Sequence, residues 1–174
     1  TKFESVKLFQ VLSNKGMKLL YKPRVINSIY FDNNSFDMFY NSEEGVVPRK
    51  KIRIRWYNNN VDFTLEKKTS SVEGRYKTSV KFDILKSITQ IEKHKMFDNV
   101  YGYIHPSLKV SYVRTYYIFN KMRVTFDKNI NYTNLRNDTF LLHEDPENVI
   151  EIKVPDNFGD DIIEKFMPYS TSRF

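Results

Sequence analysis

Cysteine is absent from the chain, which excludes disulfides and any thiolate-bound metal. A cysteine-free chain is expected in a reducing compartment, the cytoplasm. Glycine is nearly as scarce, with 5 in 174 residues. No glycine-rich phosphate loop can be assembled from them, so a P-loop or dinucleotide-binding turn is excluded. The 6 prolines do not cluster into a linker, and no internal repeat divides the chain, so one domain is expected. No apolar run approaches the roughly 18 residues that a membrane-spanning helix needs, and no signal-peptide pattern opens the sequence. The three histidines, His94, His105 and His143, are scattered without ligand spacing. Surface or capping roles are expected of them.

What is present is aromatic and basic. There are 12 Tyr and 14 Phe, and aromatics make up 16% of the chain. Such residues favour strands, and 174 residues can enclose a sizeable core. Lys and Arg number 28 against 21 Asp and Glu, for a net charge of +7 and a pI near 9.4. That excess implies an anionic partner: nucleic acid, polyphosphate, nucleotide or acidic membrane.

The most informative stretch is RKKIRIRWYNNNVDFTLEKK over 49–68. Ile52, Ile54 and Trp56 alternate with Lys51, Arg53 and Arg55, the period of two of a strand with one apolar and one charged face. Asn58, Asn59 and Asn60 suit a tight turn. On the return, Phe63 and Leu65 oppose Asp62, Thr64, Glu66 and Lys68. Two adjacent strands then place Lys51, Arg53, Arg55, Glu66 and Lys68 on one surface. Like charges packed side by side cost stability, a cost tolerated where an anion sits between them.

The rest of the chain is read around this hairpin. Residues 1–15 have helical spacing. Thr1 and Glu4 form a capping-box pattern, Phe3, Val6, Phe9 or Gln10, and Leu12 share a face, and Gly16 stands at the C-terminal cap. RVINSIYFD is a strand, with Ile26, Ser28, Tyr30 and Asp32 on one parity. A short helical turn is expected within 36–44. Residues 69–74 read as a polar loop and 76–83 as a strand with Lys77, Ser79 and Lys81 on one side. Helical spacing follows over 84–97, then loop over 98–106. A long strand over 108–119 puts Tyr112, Arg114 and Tyr116 on one face. A turn at Asn120 and Lys121 leads into MRVTFD, where Arg123, Thr125 and Asp127 share a side. In VIEIK, Val149, Glu151 and Lys153 do the same. An amphipathic helix is expected over 158–167.

Charged residues thus recur at strand parity on six strands. In an ordinary barrel that face is outside. With helices covering the outside, the charges line a tunnel instead, and Arg forks and Lys point charges suit a phosphate chain. The few acids suit a divalent cation.

IYFD at 29–32, KIRIRWY at 51–57, LEKK at 65–68, VSYVRTYY at 110–117, MRVTFD at 122–127 and VIEIK at 149–153 occur in this order. That series resembles the VTC-type polyphosphate polymerase domain of the triphosphate tunnel metalloenzyme (CYTH-like) superfamily, from about residue 22 to the C-terminus. The resemblance implies a β-rich α+β fold, an antiparallel β-barrel tunnel with flanking helices. It implies transfer of the ATP γ-phosphate to a growing polyphosphate chain, with Mn²⁺ or Mg²⁺. Carried over by motif, Arg53, Arg55, Lys68, Arg114 and Arg123 would act on the phosphates. Lys51, Glu66, Lys77 and Lys153 would bind substrate, and Glu151 and Asp127 would hold metal. The family's first charged strand and its last, Ser-Lys-Tyr-like segment find no match, so the resemblance implies a single tunnel domain over 1–174 lacking both. Three alternatives stay open. One is a non-catalytic polyphosphate-binding module, and another is an inorganic triphosphatase, disfavoured by the scarcity of acids. The third is a β-rich nucleic-acid-binding domain, disfavoured because the charges share parity with Thr and Ser more often than with Tyr.

Overall fold

The structure, a computed structural model, describes residues 2–136, 142–155 and 165. Its elements in chain order are α1 (Lys2–Asn14), β1 (Lys18–Asp32), α2 (Asp37–Glu43), β2 (Arg49–Tyr57), β3 (Thr64–Ser71) and β4 (Gly74–Lys81). They continue with α3 (Ile88–Ile91), β5 (Met96–Asp98), β6 (Gly102–Phe119), β7 (Met122–Asn134), β8 (Leu142–Glu144) and β9 (Val149–Lys153). The chain forms two compact units. The smaller takes residues 1–23, 113–128 and 146–174, and the larger 24–112 and 129–145. Strands β1, β6 and β7 run through both.

In the larger unit the strand order is β4-β3-β2-β1-β6-β7-β8, with β5 alongside β6. Every strand pair of described register is antiparallel. The β-rich, antiparallel α+β class is therefore as expected, and among the described residues the path runs from β4 to β8 without closing. The period of two in β2 acts as expected: Ile52, Ile54 and Trp56 are fully buried. They form a core with Ile29 and Phe31 of β1, Met38 of α2, Phe63, Phe82, Ile91 of α3 and Ile104 of β6. Trp56 and Phe63 meet edge to face at 5.8 Å. The β2–β3 turn is held by Asn58, which adopts a positive φ of 51°, as Asn tolerates better than most residues. Its Oδ1 accepts from the Val25 amide at 2.9 Å, tying the turn to β1.

In the smaller unit β9 pairs with β7, and the pairs Arg123–Lys153, Thr125–Glu151 and Asp127–Val149 set its register. Phe119, Met122, Val124 and Phe126 form its core with Leu12 of α1 and Met17. Phe9, Tyr117 and Phe126 make a three-ring edge-to-face cluster at 5.4–5.7 Å. Asn120 and Lys121 both have positive φ, the conformation of a two-residue hairpin turn whose twist matches its strands. Gly16 ends α1 at φ 97°, and the Met17 amide donates to the Leu12 carbonyl at 2.9 Å.

Several local expectations are corrected. The inward face of α1 is Ser5, Leu8, Phe9 and Leu12, while Val6 is exposed. Ser5 is tolerated there because its Oγ accepts from Asn148 Nδ2 at 2.8 Å. β1 starts six residues before the expected Arg24, at Lys18. The polar stretch 69–74 is mostly strand, with Thr69, Ser70 and Ser71 paired to Tyr76, Arg75 and Gly74. Only four residues of 84–97 are α-helical, and Met96–Asp98 is β5. β6 starts at Gly102, within the expected loop. Thr1 and the helix expected over 158–167 lie outside the described residues, apart from helical Lys165.

Candidate functional site

The charged side of the β1–β4 hairpins is built by register. Tyr30, Arg53, Glu66 and Ser79 lie opposite one another across four strands. Ser28, Arg55, Thr64 and Lys81 form the next row, and Lys51, Lys68 and Lys77 a third. Side chains that oppose one another across strands leave the sheet on one side, so the expected parity is realised.

Glu66 is the centre of this surface, and its side chain is 8% exposed. Arg53 Nε donates to Glu66 Oε2 at 2.7 Å, and Lys77 Nζ donates to Oε1 at 2.7 Å. Arg55 Nη1 reaches Oε1 at 3.5 Å. Burial pushes the Glu66 carboxyl up, but the Lys77 hydrogen bond and the guanidiniums of Arg53 and Arg55 outweigh it and hold it below its ordinary value. Arg53 Nη1 also donates to the Tyr30 hydroxyl at 2.7 Å. Burial disfavours the charged guanidinium, yet Tyr30 and Glu66 more than offset that, so Arg53 stays charged. One carboxylate thus gathers three cations and leaves the group with a net charge of about +2 by formal count. Lys51 faces Lys68, and Lys68 faces Lys77, like charges directly opposed.

Two buried polar atoms on this surface have no hydrogen-bond partner among the described residues: Arg55 Nε and Ser28 Oγ. Among the candidates above, the structure brings together Arg53, Arg55, Glu66 and Lys77, with Lys51 and Lys68 on the neighbouring row. Tyr30 and Ser28 were not among them. Their parity with Asp32 was visible in the sequence, but a lone Tyr or Ser carries no charge signal.

The smaller unit holds the later candidates. Arg114 forks onto Asp127, with Nε to Oδ1 and Nη2 to Oδ2 both at 2.6 Å. Nη2 also lies 3.6 Å from Glu151 Oε2, and Lys153 Nζ lies 3.4 Å from Glu151 Oε1. Arg123 is exposed and directly opposite Lys153. The two proposed metal ligands differ. Both Asp127 oxygens are engaged by Arg114 in a nearly buried pair, which leaves it poorly suited to a cation. Glu151 is 41% exposed with only long contacts, and its hard oxygens suit Mg²⁺ or Mn²⁺, which are often held by one or two carboxylates and the substrate's own phosphates. Glu151 alone fits.

The opposite side of β2–β4 provides a contrast. There Lys50, Lys67, Thr69, Tyr76 and Thr78 line a cavity of about 310 Å³ with Phe97, Asp98 and Asn99. Lys50 is pinned to both oxygens of Asp98 at 3.0 Å.

A family model described as VTC domain matches residues 6–174. No curated protein matches the chain. Among solved structures, a candidate adenylate cyclase from Bacillus halodurans is similar with a TM-score of 0.51 and 13% identity, covering 90% of this chain and 92% of its own. A protein from Pyrococcus horikoshii is 16% identical with a TM-score of 0.48, covering 92% of this chain and 78% of its own.

Proposed function

Because the chain belongs to the VTC domain family, we propose that it is a polyphosphate polymerase that takes the γ-phosphate of ATP. Its fold is of the triphosphate-tunnel, CYTH-like kind. The observation that carries the reading is the charged side of β1–β4, where Arg53, Arg55 and Lys77 converge on the single carboxylate of Glu66 and Arg55 Nε is left with a free donor. A half-buried cationic group with spare donors is a preorganised anion site. A phosphate chain supplies acceptor oxygens at every unit.

In this reading Arg53, Arg55 and Lys68 hold phosphates, with Lys51 and Lys77 adding charge. Arg114, Arg123 and Lys153 are further cations that this reading assigns to phosphate. Glu66 and Asp127 hold the arginines in place. The terminal oxygen of the polyphosphate chain attacks the γ-phosphorus, that P–O bond forms, the bond to the β-phosphate oxygen breaks, and ADP leaves. Catalysis by these residues is positioning and charge neutralisation. A divalent cation held at Glu151 would supply further neutralisation of the transferring group.

Two measurements test this. Tripolyphosphate should raise the melting temperature well beyond an equal ionic strength of sulfate, because a ligand that binds only the folded state stabilises it; equal shifts would remove the specific site. With Mn²⁺ or Mg²⁺, ATP should yield ADP and growing chains, and Glu151→Gln should lower that turnover at least tenfold with little loss of stability. One observation favours a second reading, a non-catalytic polyphosphate-binding module: Asp127 is committed to Arg114, leaving Glu151 as the single available carboxylate of the described candidates. Tripolyphosphate binding without any metal-dependent turnover would establish that reading instead.

A further inference from the structure

Adjacent rows of the charged surface differ in one respect. The row Tyr30–Arg53–Glu66 is satisfied within itself, since Arg53 donates to both neighbours at 2.7 Å. The next row, Ser28–Arg55–Thr64, is not. Ser28 is 1% exposed, and its Oγ has no partner among the described residues. Arg55, whose side chain is 11% exposed, makes one long contact to Glu66 through Nη1, and its Nε has no partner either.

Ser28 and Arg55 are directly opposite on β1 and β2, so their Cβ atoms stand about 5 Å apart on one side of the sheet. Buried polar atoms in folded proteins are nearly always hydrogen-bonded. Two on directly paired residues, each unbonded to any described group, are both met by one group that accepts from each. Serine is also a costly choice at such a position if it binds nothing, because alanine would fill the same space without a buried hydroxyl. A group that accepts two hydrogen bonds and carries negative charge would also match the arginine.

We propose that Ser28 Oγ and Arg55 Nε together seat one phosphoryl group of the bound phosphate chain, so that Ser28 is a substrate-binding residue. This rests on the reading that the charged side of β1–β4 binds phosphate. It adds something that guanidinium forks alone do not supply. The units of a phosphate chain are nearly alike, and arginines and lysines can grip any of them. A hydroxyl fixed at one row defines a single point where a phosphoryl group docks, and so sets the register of the chain.

The test is tripolyphosphate binding by calorimetry, with thermal unfolding of the free proteins, for the unmodified chain, Ser28→Ala and Ser28→Thr. Ser28→Ala should weaken tripolyphosphate binding about five- to tenfold, Ser28→Thr should retain most of it, and the free Ser28→Ala protein should be as stable as the parent or more so. A buried water bridging the two atoms is the competing account. It gives the reverse: Ser28→Ala melts earlier and binds tripolyphosphate as tightly as the parent, and that result overturns the proposal while the phosphate site stands. If the unmodified chain itself fails to bind tripolyphosphate, the phosphate reading falls, and this inference falls with it.

Discussion

Glu66 is the residue on which the site turns. It is nearly buried and bonded to Arg53 and Lys77. Removing its charge would leave Arg53 and Arg55 partly buried and uncompensated, a situation that costs on the order of 3 kcal/mol. Glu66→Gln should therefore lower the melting temperature, and tripolyphosphate should restore more stability to that variant than to the parent, because the ligand takes over the missing negative charge. The acid side follows from the sign of the shift. The Glu66 carboxyl is held below its ordinary value of 4.5, so the stability it confers is complete above about pH 4.5 and is lost as pH falls through its lower folded value. Urea midpoints measured from neutral pH down through that window should fall for the parent and fall less for Glu66→Gln; parallel curves would assign acid sensitivity to other groups. The sequence shows Arg53, Arg55 and Glu66 on one parity but not their hierarchy. Repulsion among empty cations was the expectation; Glu66 offsets it for Arg53, Arg55 and Lys77, while Lys51 and Lys68 stay directly opposite like charge. Which acid sits among which bases depends on register, and register is a pairing of two segments that neither contains alone.

At the scale of the strand, adjacent lysines test which side binds. Lys68 faces Lys51 and Lys77 across the charged side, while Lys67, opposite Ile52 and Thr78, lines the cavity on the other. Lys68→Ala should weaken tripolyphosphate binding severalfold and Lys67→Ala should leave it within twofold, although both remove one exposed positive charge from the same strand. Equal losses would mean that net charge, not the face, governs binding. Strands with a strong apolar–charged alternation were readable in advance: β2, the middle of β6, the start of β7, and β9. Elements lacking that contrast were not. Thr69, Ser70 and Ser71 are polar on both sides, half-buried against a mostly exposed β4, so they read as loop. In 84–97 the helical spacing of Ile84, Ile88 and Ile91 was misleading, because Ile91 is buried while Ile84 is exposed. Prolines at 23 and 106 lie inside long strands, where proline ordinarily argues against a strand.

The whole molecule carries +7, with 28 basic and 21 acidic residues, and no helix among the described residues is long and apolar enough to cross a membrane. Raising monovalent salt from about 0.1 M to about 1 M shortens the screening length from ~10 Å to ~3 Å. Tripolyphosphate affinity should then fall tenfold or more in a titration series, with longer polyphosphate losing more; a salt-independent Kd would place the ligand away from the cations. The β-rich class and the family were readable because six weak motifs in order reinforce one another. The division into two units was not, because β1, β6 and β7 belong to both and no change of composition marks where they pass from one to the other. That interleaving has a consequence for the order in which the molecule can be assembled on the ribosome. Arg53, Arg55, Glu66 and Lys77 are joined by three consecutive antiparallel strands with short connections, and such local contacts close early. The smaller unit takes its segments from three distant parts of the chain, and Glu151 and Lys153 arrive with the last of them. During synthesis at about 5–20 residues per second, the cationic cluster of β2–β4 can take shape seconds before Glu151 has been made.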